Sequence, residues 1–109
     1  MTELNPDWTG LPGADLITRG LQELAAEKTT EHSLLVLVGE PRLRALDVPY
    51  PAYRPDLSGP AEHALYDLLV VSAGSDAYGR YNSMLRRMNS FAHALEREKS
   101  KSEAHRKTH

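Results

Sequence analysis

TEHSLLVLVGEP (residues 30–41) contains the longest apolar run in the chain, Leu34 to Val38, and its reading decides the fold. Consecutive apolar residues show neither the period of a half-buried strand nor that of an amphipathic helix. The run therefore fits a buried strand or a buried helix equally well. DLLVVSAG (residues 67–74) poses the same choice. Read as strands, 33–38 and 67–72 would make a minimal α/β unit. Two strands alone form a marginal sheet, and the sequence offers no third. The second run also continues a helical start: Gly59 as cap, Pro60 at the first helical position, then Ala61, Leu65, Leu68 and Leu69 on one side. Thr29 or Thr30 can cap the first run. Both are read as short buried helices. The expected fold is all-α, a small bundle of about four to five helices with a proline-rich connection and a long C-terminal helix. The minimal α/β arrangement is the alternative.

Toward the N-terminus, ADLITRGLQELAAEK (14–28) reads as a helix. Ile17, Leu21 and Leu24 follow i, i+4, i+7 spacing, with Leu16 and Ala25 widening the stripe. Asp15 suits the first turn and Lys28 the last. Gly20 costs about 1 kcal/mol against alanine in mid-helix, a cost consistent with close approach of another helix there. Residues 1–13, with Pro6, Gly10, Pro12 and Gly13, form an irregular arm. Trp8, the only tryptophan, is expected to fold back onto the domain, because its large surface rewards burial.

Toward the C-terminus, Pro41 starts a short helix, PRLRAL. DVPYPAYRPDLSGP (47–60) then carries four of the seven prolines and two of the five tyrosines. It reads as an extended strap whose tyrosines lie on the domain. A partner-binding loop is the competing reading, with Tyr50 and Tyr53 as its contacts. Ser75 is placed to cap a last helix. On that helix Ala77, Tyr78, Tyr81, Met84, Leu85, Met88, Phe91, Ala92 and Leu95 share an arc of roughly 140°, a core face wide enough for two neighbours. Residues 1–95 are expected to form one helical domain. The charged tail, 96–109, is expected to prolong the helix for a turn or two, with pairs such as Glu103–Lys107, and then to fray.

Charge is unevenly spread. Residues 1–76 hold 12 acidic and 5 basic side chains, and residues 77–109 hold 3 acidic and 8 basic. A basic last helix lying against an acidic body explains this most simply. The competing reading gives the outer face of that helix to an anionic partner. Arg80 and Arg87 line one flank with Lys101, and Arg86, His93 and Arg97 form a second row. Such rows could face phosphates. However, the formal charge of the whole chain is −2, and Glu96 and Glu98 dilute the patch.

No signature of catalysis appears. GxSxG, GxxxxGK[ST] and GxGxxG are all missing. With no cysteine there is no thiolate nucleophile, disulfide or cysteine-ligated zinc. His63 with Asp67, and His93 with Glu96, each offer two metal ligands where a stable site needs three or four. No cofactor is called for. The opening residues have no apolar signal core, and the longest apolar run is too short to span a bilayer. Cytoplasmic residence without a membrane partner is expected.

The function expected is a non-enzymatic helical interaction module, self-associating or part of a complex. A nucleic-acid-associated regulatory role through the basic face is the alternative. The candidate partner-binding residues are Arg80, Arg86, Arg87, Arg97, Tyr50 and Tyr53.

Overall fold

A computed structural model describes Trp8 and residues 10–107, with side chains as far as Lys101. Its helices are α1 (Ala14–Ala25), α2 (Glu31–Val38), α3 (Glu40–Ala45), α4 (Ala61–Ala73) and α5 (Ala77–Lys107), with a 3-10 turn at Gly74–Asp76 between the last two. The fold is all-α, and no strand occurs among the described residues. The runs at 33–38 and 67–72 are helical, which excludes the α/β alternative. Most of the N-terminal arm and the side chains of Glu103 and Lys107 lie outside the described residues.

Helix α2 forms because its start is closed at both ends of the first turn. The Thr30 hydroxyl accepts from the Ser33 backbone N–H at 3.0 Å, and the Ser33 hydroxyl accepts from the Thr30 N–H at 2.8 Å. This reciprocal box satisfies two amides that would otherwise lack partners. The same Thr30 hydroxyl donates to Glu23 of α1, which Arg19 also holds at 2.9 Å. The Thr30 hydrogen bond and the Arg19 guanidinium together outweigh burial and hold the Glu23 carboxyl below its usual range. Beyond the box, Leu34, Leu35 and Val36 are fully buried between α1 and α4.

Gly20 explains how α1 comes so close. A Cβ there would collide with the His32 carbonyl oxygen and would sit 2.7 Å from Val36 Cγ1, both on α2. Ile17 and Leu24 flank it on the buried side.

Several helix boundaries differ from the sequence expectation: α3 begins at Glu40 rather than Pro41, and α5 runs on to Lys107, more than three turns past Leu95. Pro60 is the cap of α4 rather than its first residue. Ser75 lies inside the 3-10 turn, so α5 begins only at Ala77. Helix α1 ends at Ala25, leaving Lys28 beyond it. The turn between α4 and α5 depends on Gly74, whose φ of +57° is strained for any residue with a Cβ.

The strap reading of 47–60 is the one the structure shows. Tyr50 and Tyr53 both pack on the core. The Tyr50 hydroxyl donates to the Val36 carbonyl at 2.5 Å. Its ring lies under the guanidiniums of Arg44 and Arg54, at 5.4 and 5.7 Å. Both arginines also pair with Glu40, Arg44 at 2.6 Å. Burial opposes ionisation of Glu40, but the two arginines outweigh it and keep that carboxyl below its usual range.

Helix α5 closes the core. Ala77, Met84, Met88, Phe91 and Ala92 are buried, and Tyr81, Leu85 and Leu95 pack partly against them. Trp8 meets Phe91 edge to face, ring centroids 5.1 Å apart. Ala94 is also buried. Tyr78 departs from the expected core arc and stands 67% exposed.

Candidate functional site

The acidic body and the basic helix attract one another directly. Arg80 lies 3.6 Å from Glu31, Arg87 3.2 Å from Asp15, and Lys99 2.9 Å from Asp47. Arg42 of α3 adds Glu96 at 3.8 Å and Asn89 at 3.4 Å. Two of the four candidate arginines, Arg80 and Arg87, therefore already face carboxylates of their own chain. Arg86 and Arg97 are exposed on α5 and make no ion pair among the described residues. Tyr50 and Tyr53 sit on the strap, and the Tyr50 hydroxyl is spent on the Val36 carbonyl. The six candidates thus do not converge on one site.

Several depressions mark the described surface. One, about 650 Å³, runs along α1 and is lined by Trp8, Asp15, Thr18, Arg19, Gln22 and Glu23. Its charged groups Arg19 and Glu23 are bound to each other. A second, about 290 Å³, is lined by the paired Arg80 and Glu31 together with His32 and Arg87. A third, about 300 Å³, opens between α4 and α5 and differs in chemistry. It is lined by Tyr66, Tyr78 and Tyr81 together with Glu62, His63 and Asp67.

This third cleft follows from the sequence of α4. Leu65 and Leu69 point inward, and Tyr66 and Val70, one position later on each turn, come out on the adjoining face. The short 3-10 turn then brings the start of α5 beside them. Tyr66 meets Tyr81 edge to face, ring centroids 5.7 Å apart and planes at 88°. Tyr66 is 36% exposed and Val70 45%. Val71, on the opposite flank of the same helix, is 85% exposed.

No family model matches this chain, and no curated protein or solved structure matches it either. The chemistry must be read from the residues alone.

His63 and Asp67 both line the α4–α5 cleft, but no hydrogen bond joins them. His93 lies 15 residues beyond Tyr78 on α5, about 22 Å along the helix by its rise. It faces Glu96 at 4.0 Å. Among the described residues no group of three or more His, Asp or Glu side chains is placed to hold a metal. Nor is any helix among them long and apolar enough to cross a membrane.

The sequence reading missed the cleft because its residues were assigned elsewhere. Tyr78 lies at the edge of the α5 apolar arc, and Tyr66 was left outside the α4 stripe. The available signal was an aromatic residue, Tyr66, directly after a core leucine, within a helix whose next turn ends in two adjacent valines.

Proposed function

We propose that the chain is a self-associating helical interaction module whose contact surface is the α4–α5 face. The observation that carries this reading is the set of large apolar side chains left in solvent there: Tyr66, Val70 and Tyr78. Clustered apolar surface of this kind marks contact sites, because single exposed residues are common and grouped ones are not. Tyrosine is enriched at such sites, since it offers broad apolar area with little side-chain entropy to lose. A second copy is the occupant favoured by charge. The cleft carries Glu62 and Asp67, and the exposed side of α5 carries Arg86 and Arg97, which make no ion pair among the described residues.

Sedimentation velocity on the full chain, from about 1 μM to about 1 mM, tests the reading. The expected result is a concentration-dependent shift from the 12.1 kDa monomer to a dimer. A single species of monomer mass over that whole range would count against self-association.

A further inference from the structure

The tyrosine cleft favours one kind of guest. Tyr66 and Tyr81 stand at right angles and so form a corner of two aromatic faces. Tyr78, three residues before Tyr81 on α5, lines the same space. Glu62, Asp67 and His63 line it as well, and no lysine or arginine does among the described residues. Aromatic faces attract cations through the ring quadrupole. An ammonium is compact and strongly hydrated. A guanidinium is planar and weakly hydrated, stacks on aromatic rings and donates to carboxylates through a rigid fork. A neutral apolar guest would leave Glu62 and Asp67 without partners. Tyrosine walls with a carboxylate rim therefore suit an arginine.

The chain carries that arginine beside the cleft. Tyr78, Asn82 and Arg86 follow one another at i, i+4 and i+8 along α5 and form one ridge. Arg80 and its neighbour Arg87 are tied to Glu31 and Asp15, whereas Arg86 points to solvent.

We propose that two copies pair antiparallel along the Tyr78–Asn82–Arg86 ridge, each placing its Arg86 guanidinium in the tyrosine cleft of the other. This rests on the self-association reading and assigns its chemistry. Asn82 lies midway between the two residues, four positions from each, or about 6 Å of helix rise either way. A two-fold axis at Asn82 therefore sets Tyr78 of one copy opposite the partner's Arg86. Ridges of i, i+4 residues interdigitate in the commonest class of helix packing. A two-fold contact is self-complementary, so both clefts fill together. Asn82 is partly buried within the single chain, and its amide offers both a donor and an acceptor to its symmetry mate.

The test is a charge exchange read by sedimentation velocity, with circular dichroism to verify that each variant keeps its helices. Arg86→Glu should raise the dimer dissociation constant at least about tenfold, because the cleft then meets a like charge. Glu62→Arg with Asp67→Arg should do the same from the other side. An equimolar mixture of the two variants should recover the dimer, since each donor now faces a cleft of opposite sign. A dimer that survives Arg86→Glu, or a mixture that stays monomeric, overturns this seat and leaves self-association standing. A wild-type chain that never dimerises overturns both.

Discussion

Gly20 sets two opposing effects against each other. Replacing it with alanine gains about 1 kcal/mol of helix propensity. The new methyl would press on the His32 carbonyl, which is backbone, and on Val36 Cγ1, which belongs to a fully buried side chain. Neither can move without shifting α2, and overpacking of this kind costs about 1–3 kcal/mol. Strain should win, and Gly20→Ala should lower the thermal midpoint by several degrees, at about 4–8 °C per kcal/mol for a domain near this size. A midpoint equal to or above wild type would mean that the helices can separate cheaply. Tyr50 is the other residue whose surroundings give a signed expectation. Burial, and then the negative charge of Glu40, push its phenol well above the usual range, although Arg54 and Arg44 pull the other way. The fold thus holds the neutral phenol. In the unfolded chain the proton leaves near pH 10, so the unfolded state gains first as pH rises and stability falls above that point. Tyr50→Phe removes the bond to Val36 and should cost about 1 kcal/mol at neutral pH. Its further loss between pH 8 and pH 11 in chemical denaturation should be smaller than that of wild type. Equal losses would show that the strap opens before the phenol titrates.

At the scale of the element, α2 was the least legible piece, and its packing explains why. Periodicity appears in a sequence only when one face of a helix meets water. Leu34, Leu35 and Val36 are all fully buried, so the run carries no polar positions to mark its period. Its valines even favour a strand. What decides the matter is local and lies before the run: the Thr30–Ser33 box. The sequence shows a possible threonine cap, but Ser33 stands where the usual capping-box pattern has Glu or Gln, so the box is not marked in advance. Helix α4 was easier, because Pro60 and the Leu65–Leu69 pair mark its start and its face. Less of the surroundings of the candidate residues was legible, since four of the six belong to charge rows. Ion pairs with a remote segment, such as Arg87 with Asp15, cannot be read from spacing along one helix. If the box sets the start of α2, Thr30→Ala should cost about 1–2 kcal/mol in chemical denaturation, the upper part reflecting the lost Glu23 bond. Ser33→Ala should cost less, because the Thr30 hydroxyl can still accept from the backbone at 33. Equal costs would show that the Glu23 contact adds nothing.

Over the whole molecule, α5 acts as the spine. Its 31 residues extend about 46 Å by helical rise, most of the 54 Å long axis. One side of it closes the core, another takes the ion pairs from α1, α2 and the α3 turn, and a third remains open. The ion pairs are largely exposed, so each adds little to stability and serves chiefly to set which way α5 faces. Apolar packing holds the helix in place, and Phe91 is its centre. That ring is fully buried and meets Trp8 edge to face, fastening Trp8 to the middle of α5. Phe91→Ala should cost about 3–5 kcal/mol, a large part of the roughly 5–15 kcal/mol that holds a domain of ordinary stability together. Because Trp8 is the only tryptophan, its emission reports this contact alone. The emission of the variant should shift to the red under conditions where circular dichroism still shows most of the helix content. Helices α1, α2 and α4 also pack on one another, and that packing should outlast the docking of Trp8. If emission and helix signal instead change together along a single curve, the N-terminal segment is an integral part of the cooperative core. If the emission stays blue in a folded variant, Trp8 does not depend on Phe91, and α5 is not what anchors it.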